Sequence, residues 1–121
     1  MTPFGEKLRS LRQERGVTLK QMAEALQLSS PYLSALEHGR KGRPTKVLLH
    51  QICGYFNIIW DEAEDLIRLA EISHPKITID TSGLSSDATL LANLLSEKIK
   101  DMNPAQIEAM LSIVTDKKRD N

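Results

Sequence analysis

The sequence predicts an all-α protein, and three observations support that prediction. Apolar side chains recur three and four residues apart through most of the chain, which is the spacing of one helix face. Residues that start or stop helices, such as Thr18 and Gly16, separate these stretches. Only 4% of the 121 residues are aromatic, a proportion that suits a core of Leu, Ile, Ala and Met.

Five short helices are predicted in residues 1–73, which form the first of two domains. Their expected positions are roughly residues 3–15, 18–27, 29–38, 45–57 and 61–72. Gly16 ends the first helix, and Thr18 with Gln21 forms a capping box at the start of the second. Pro31 belongs in the first turn of the third helix, because its fixed backbone angle suits that position.

The fourth and fifth helices are predicted from their caps and apolar faces. Thr45 caps the fourth, and Asn57 is placed to take the left-handed conformation that ends a helix. Asp61 and Glu64 indicate the start of the fifth. The inner face of the fourth helix is formed by Leu48, Leu49, Ile52 and Phe56.

The second domain, residues 74–121, is predicted to hold a short strand and a two-helix hairpin. Ile77 and Ile79 alternate with polar residues at the period of a strand, and helices follow at about residues 86–101 and from Pro104 onward. Because two helices bury too little surface to stand alone, we expect their apolar stripes to meet a second chain, with packing on the first domain as the alternative. The residues of this expected dimer interface are Ile77, Ile79, Leu91, Leu94, Leu95, Ile99, Ile107, Met110, Leu111 and Val114.

The stretch from Thr18 to Pro44 resembles the XRE family of Cro-like and phage-repressor-like regulators. The matching residues stand in register and are Ala23, Leu28, Ser29, Leu33, Leu36, Glu37, Gly39 and Pro44. The resemblance covers about residues 4–72 and departs at Gln27, where the family often has Gly. It implies a five-helix, repressor-like DNA-binding domain, in which the second of two helices joined by a tight turn enters a major groove.

The resemblance also implies roles for individual residues. An arginine of the first helix typically pairs with the glutamate that ends the recognition helix, and here these are Arg12 and Glu37, a structural ion pair. The positions that usually reach base edges correspond to Ser30, Pro31, Tyr32, Ser34 and Ala35. Since none of them is Gln or Asn, readout is expected from hydroxyl groups, from contact with thymine methyls and from DNA shape.

Cations cluster around the predicted recognition helix. The residues expected to bind phosphate are Lys20, Arg40, Lys41, Arg43 and Lys46. Residues 1–60 carry nine Lys and Arg against four Glu, whereas residues 61–121 carry seven basic and twelve acidic side chains. The asymmetry favours an anion-binding front and an acidic rear, with a solvated surface of mixed charge as the alternative.

These features predict a sequence-specific transcriptional regulator that binds double-stranded DNA as a homodimer on a pseudo-palindromic operator. The alternative is an antitoxin that represses its own operon and binds a toxin through its C-terminal segment. An enzyme is not expected, because no Ser/His/Asp set or phosphate-cradling loop occurs. A small-molecule sensor stays open, since apolar helical hairpins can open pockets.

No cofactor or metal is expected. Cys53 lies in an apolar run, and together with His50 it makes too small a ligand set for a metal site. No run of about 18 uncharged apolar residues occurs, so neither a signal peptide nor a membrane span is predicted. We therefore expect a cytoplasmic, bacterial protein that associates with the nucleoid through DNA.

Overall fold

The computed structural model describes residues 1–40 and 43–115, and these form seven α-helices and one 3-10 turn. The helices are α1 (Pro3–Arg15), α2 (Leu19–Leu26), α3 (Ser30–Glu37), α4 (Lys46–Tyr55), α5 (Trp60–Glu71), α6 (Ser86–Lys98) and α7 (Pro104–Thr115). The 3-10 turn, Ile99–Asp101, completes the stretch that the sequence predicts as one helix. The chain divides into two compact units, Met1–Ile77 and a second that begins at Thr78.

Side-chain caps start most helices of the first unit. Thr2 Oγ1 accepts a hydrogen bond from Gly5 N at 3.0 Å, and Thr45 Oγ1 accepts one from Leu48 N at 3.1 Å. Each cap satisfies a backbone N–H that has no partner within its own helix. Gly16 ends α1 in the left-handed region at φ 66°, a conformation that glycine adopts without steric cost.

One hydrophobic core joins α1 to α5. The fully buried side chains at its centre include Leu8, Met22, Leu33 and Ile52. Removing each such side chain from water contributes roughly 1.5–3 kcal/mol. Cys53 belongs to this core, and burial raises the pKa of its thiol above the usual value. The Cys53 side chain therefore packs as a small neutral group.

The start of α5 differs from the prediction. The helix begins at Trp60 after Ile59, and no side chain caps it. Asp61 lies inside the first turn instead of before it, where its charge is favourable beside the helix dipole. Trp60 is 81% exposed and has a left-handed backbone at φ 56°.

The prediction of a short strand at Ile77–Ile79 is wrong. Residues 77–80 are neither strand nor helix, and no strand occurs in the described part of the chain. A strand needs a neighbouring strand to pair with its backbone N–H and C=O groups, and no described segment supplies one. Ile77 and Ile79 are 71% and 55% exposed, so the alternating pattern does not mark a buried face either.

The second unit consists of α6, the 3-10 turn and α7. Ser85 Oγ accepts from Ala88 N at 3.1 Å, while Asn103 and Gln106 exchange two hydrogen bonds at the start of α7. These hydrogen bonds cap the starts of both helices, yet no residue of α6, the 3-10 turn or α7 is buried. No helix in residues 1–40 or 43–115 is long and apolar enough to cross a membrane.

Candidate nucleic-acid interface

α2, a three-residue turn and α3 form the centre of the candidate site. Thr18 Oγ1 accepts from Gln21 N at 3.0 Å, and Gln21 Oε1 accepts from Thr18 N at 2.8 Å, so the predicted capping box starts α2. Gln27 ends α2 at φ 59°, and Leu28 N then donates to Ala23 O at 2.8 Å. This left-handed turn directs the chain into α3 within three residues.

Ser29 and Ala23 set how α3 leaves that turn. Ser29 Oγ accepts from Tyr32 N at 3.1 Å and caps α3. The Ser29 hydroxyl is therefore committed to the helix end. Ala23 is buried among the core residues, in the position where the resemblance places a small side chain.

The end of α3 is held against α1 by an ion pair. Arg12 Nε donates to Glu37 Oε2 at 2.9 Å, and Arg12 Nη2 donates to Glu37 Oε1 at 3.1 Å. Glu37 is only 2% exposed, so its charge depends on the guanidinium for compensation. Two parallel hydrogen bonds also fix the orientation of the two planar groups, and α3 is thereby held in one position.

Gly5 of α1 allows α3 to come this close. A Cβ atom at residue 5 would overlap the carbonyl oxygen of Glu37. Gly5 is not part of the apolar pattern of α1, and it does not end the helix, so neither signal used to interpret the sequence points to it. Sequence reasoning therefore missed it as a determinant of the position of α3.

The structure places the predicted base-contact residues along α3. Pro31 is exposed, and the others are half-buried, namely Ser30, Tyr32, Ser34 and Ala35. One further residue, His38, is exposed directly after α3. His38 follows Ser34 by four residues and Pro31 by seven, a spacing that puts the three on one helix face. This spacing is the sequence feature from which His38 could have been predicted as part of the site.

The predicted phosphate ligands surround α3. Lys20 is exposed in the first turn of α2, Arg40 and Arg43 are exposed in the loop after α3, and Lys46 is the exposed first residue of α4. Lys41 lies outside the described residues. Lys46 is unfavourably placed for its own helix, because the N-terminal end of a helix dipole favours anions.

The helix starts of the first unit differ in their acidic residues. α1 and α5 carry acids in their first turns, Glu6 in one and Asp61 with Glu62 in the other. The first turns of α2, α3 and α4, all of them described, contain none. These three helix starts therefore carry no negative charge of their own in the first turn, and the positive end of a helix dipole favours an anion such as a phosphate.

Residues 3–72 match the family model described as "Helix-turn-helix domain". The chain belongs to the helix-turn-helix domain family. In these terms α2 and α3 correspond to the two helices of the motif, and the second helix of such a motif is the one called the recognition helix. The match confirms the prediction of an XRE-like helix-turn-helix regulator. The protein binds double-stranded DNA and acts in transcription regulation.

Three relatives show how far the similarity extends. The chain is 35% identical over 103 residues to HTH-type transcriptional regulator DdrOP3 of Deinococcus deserti. This match covers 85% of this chain and 78% of that protein. It is 41% identical over 71 residues to HTH-type transcriptional activator BcrR of Enterococcus faecalis, covering 56% and 34%. It is 33% identical over 61 residues to HTH-type transcriptional repressor RghR of Bacillus subtilis, covering 50% and 45%. The last two matches span less than half of those proteins.

The predicted dimer-interface residues lie largely at the surface of the chain. Ile77 and Ile79 are exposed in the segment between α5 and α6. The exposed residues of α6, the 3-10 turn and α7 are Leu91, Leu94, Ile99, Leu111 and Val114. The half-buried ones are Leu95, Ile107 and Met110.

Proposed function

We propose that this helix-turn-helix regulator binds a pseudo-palindromic operator as a homodimer, with α3 in the major groove and the second unit joining the two copies. One observation supports this proposal above all others. The same chain presents a cationic surface with three acid-free helix starts and, in its second unit, two helices without a buried residue. The first surface suits a polyanion, and the second suits an apolar partner.

The DNA-facing surface divides into residues that position the protein and residues that read bases. Lys20, Arg40, Arg43 and Lys46 supply cations for the phosphate backbone, which set register and affinity without reading sequence. Pro31 is the exposed residue of the predicted base-contact set. Its apolar ring suits contact with a thymine methyl, whereas the half-buried hydroxyls of Ser30 and Ser34 offer hydrogen bonds.

The second unit supports the dimer. α6 and α7 expose apolar side chains. Exposed apolar surface on a soluble protein often marks a site that binds a partner. A second copy meets a further requirement, since one recognition helix reads only a few base pairs and a two-fold dimer reads two half-sites about 34 Å apart. Dimerisation also raises the effective concentration of the second recognition helix.

The span of one relative agrees with a regulatory role for the second unit. The match to the Deinococcus deserti regulator covers 103 residues, and the first unit has 77, so the similarity continues into α6 and beyond. The relatives described above comprise both an activator and a repressor. The fold is therefore compatible with either direction of regulation.

A salt titration tests the DNA part of the proposal. Binding of the full chain to its own upstream DNA and to a shuffled duplex is measured for the wild type and for Arg40→Ala/Arg43→Ala/Lys46→Ala. We expect preference for the upstream fragment, and a plot of log affinity against log salt that is shallower in the triple variant by roughly 3 per protomer. The matched control, Lys76→Ala/Lys98→Ala/Lys100→Ala, removes three cations elsewhere and should keep the wild-type slope. If Arg40→Ala/Arg43→Ala/Lys46→Ala kept the wild-type salt slope, the assignment of these residues to phosphate contacts would be refuted. If the wild type bound neither DNA fragment at low salt, the proposal that it binds an operator would be refuted.

Sedimentation equilibrium tests the dimer part. The wild type and the control Ile59→Glu/Ile72→Glu, altered at exposed residues of the first unit, are expected to be dimers. Leu94→Glu/Leu111→Glu should be monomeric at the same concentration and should bind the operator more weakly. A monomeric wild type would overturn the homodimer, and the product of a neighbouring reading frame would then be tested as a toxin partner.

A further inference from the structure

His38 is an exposed histidine at the edge of the DNA-facing surface whose ring has a fixed arrangement. It is the C-cap residue of α3, with φ −89° and ψ 0°. Its Nδ1 lies 2.9 Å from the carbonyl oxygen of Ser34, which also accepts from His38 N at 3.0 Å. The ring is therefore tied to the last turn of the recognition helix and does not rotate freely.

This contact determines which ring nitrogen carries the proton. A carbonyl oxygen only accepts hydrogen bonds, so Nδ1 must be the donor. In the neutral ring Nε2 is then an acceptor, which repels a phosphate oxygen. In the protonated ring Nε2–H becomes a donor with a positive charge, and a phosphate is a suitable acceptor for it.

The position of His38 along α3 favours phosphate over a base edge. It follows Pro31 by seven residues, which is about 10 Å along a helix axis, and a major groove is only about 12 Å wide. When the start of α3 enters the groove, its end lies near the groove wall, where the phosphates are. Arg40, a predicted phosphate ligand, follows two residues later.

We propose that His38, protonated, donates from Nε2 to a DNA phosphate, so that each protomer takes up a proton on operator binding. The inference rests on the proposed binding of α3 in the major groove. The step forms an N–H bond at Nε2, and the bond that breaks is the one that held this proton on a hydronium ion or a buffer acid in the solvent. The affinity for the operator is then highest at pH values where the ring is protonated, and it falls as the pH rises.

α1, α2 and the loop after α3 supply the charged groups that surround the end of α3. α1 and α2 pack against α3, and Arg12 of α1 is the cation that reaches its end, where it is bound to Glu37. Among the described residues no carboxylate lies within 4.0 Å of a His38 nitrogen. The remaining charged groups on these segments are Glu6, Lys7, Arg9, Glu14 and Arg15 of α1, Lys20 and Glu24 of α2, and Arg40.

The other two histidines serve as controls. His50 is exposed on α4. His74 is half-buried, and its Nδ1 accepts from Lys76 N at 3.2 Å, which is the opposite tautomer relation from His38. Neither lies on the helix face formed by Pro31, Ser34 and His38.

The experiment measures operator affinity of the full chain from pH 6 to pH 8 at constant salt. We expect the wild-type dissociation constant to rise by roughly threefold to tenfold across this range, because the cationic donor at Nε2 is lost as the pH rises. His38→Gln should show a constant within twofold and, at pH 6, a salt slope shallower by about 0.9 per protomer. His38→Lys, which keeps its charge, should retain tight binding at pH 8, while His50→Gln and His74→Gln should follow the wild type.

The outcomes separate this inference from the proposed function. Binding by the wild type with equal affinity at pH 6 and pH 8, or a wild-type pH profile in His38→Gln, would overturn the histidine contact and leave the operator intact. Absence of binding by the wild type at every pH would overturn both. Circular dichroism of His38→Gln is the control for folding, and its spectrum should match that of the wild type because the substituted side chain is exposed.

Discussion

At the scale of single residues, the Arg12 and Glu37 pair has the largest expected effect on stability. The side chain of Arg12 is 12% exposed and that of Glu37 3%, so removing the arginine leaves a buried carboxylate without compensation. The resemblance implied the pair from the sequence. Its bidentate geometry and the burial of Glu37 required the structure, because both depend on how α1 and α3 meet.

Arg12→Ala is expected to lower the free energy of unfolding by about 3 kcal/mol, which urea denaturation measures. The lower end of the range for buried pairs applies, since water reaches Arg12. Arg12→Met/Glu37→Leu replaces both charges by apolar groups and should recover most of the loss. Equal instability in this double variant would show that the pair itself, and not the stranded charge, stabilises the fold.

Gly5→Ala should destabilise the protein, although alanine is the better helix former. The added Cβ overlaps Glu37 O, and such overpacking costs roughly 1–3 kcal/mol. Gly54→Ala is the matched control, because nothing lies within 4 Å of its Cβ position in α4, and it should gain up to about 1 kcal/mol. Thermal unfolding of both variants is the measurement, and a gain in Gly5→Ala would contradict the close approach of the two helices.

At the scale of elements, the turn between α2 and α3 contains a strained residue. Gln27 adopts φ 59°, a left-handed conformation that costs a non-glycine residue roughly 1–2 kcal/mol. Gln27→Gly should therefore raise the free energy of unfolding by about 1 kcal/mol. Asn57, at φ 56°, is the comparison, because asparagine tolerates this region and Asn57→Gly should gain less. Larger stabilisation at residue 57 than at residue 27 would be the opposite of this expectation.

Element starts were predictable where a side chain caps the helix. Thr18, Ser29 and Thr45 each accept from a backbone N–H three residues later, and these are local contacts that the sequence order specifies. α5 has no such cap, and its predicted start was displaced. The predicted strand at Ile77–Ile79 was wrong because pairing depends on a distant partner, about which alternation within one segment says nothing.

At the scale of the whole molecule, the proposed dimer links stability to concentration. If α6 and α7 gain their partner from a second copy, the wild-type Tm should rise as protein concentration increases, since association stabilises the native state by mass action. Leu94→Glu/Leu111→Glu should show a Tm that does not change with concentration. A wild-type Tm that is equally constant would contradict an interface formed by the second unit.

The sequence by itself determined the all-α class, the order of the helices and the helix-turn-helix at α2 and α3. These follow from apolar spacing, caps and a motif within short stretches, so each can be read without knowing what lies nearby in space. Only the tertiary structure decided that residues 77–80 form no strand, that Gly5 admits the end of α3, that Glu37 is buried and that α6 and α7 remain unburied. Each of these depends on which segments far apart in the chain come together, and no local pattern encodes that.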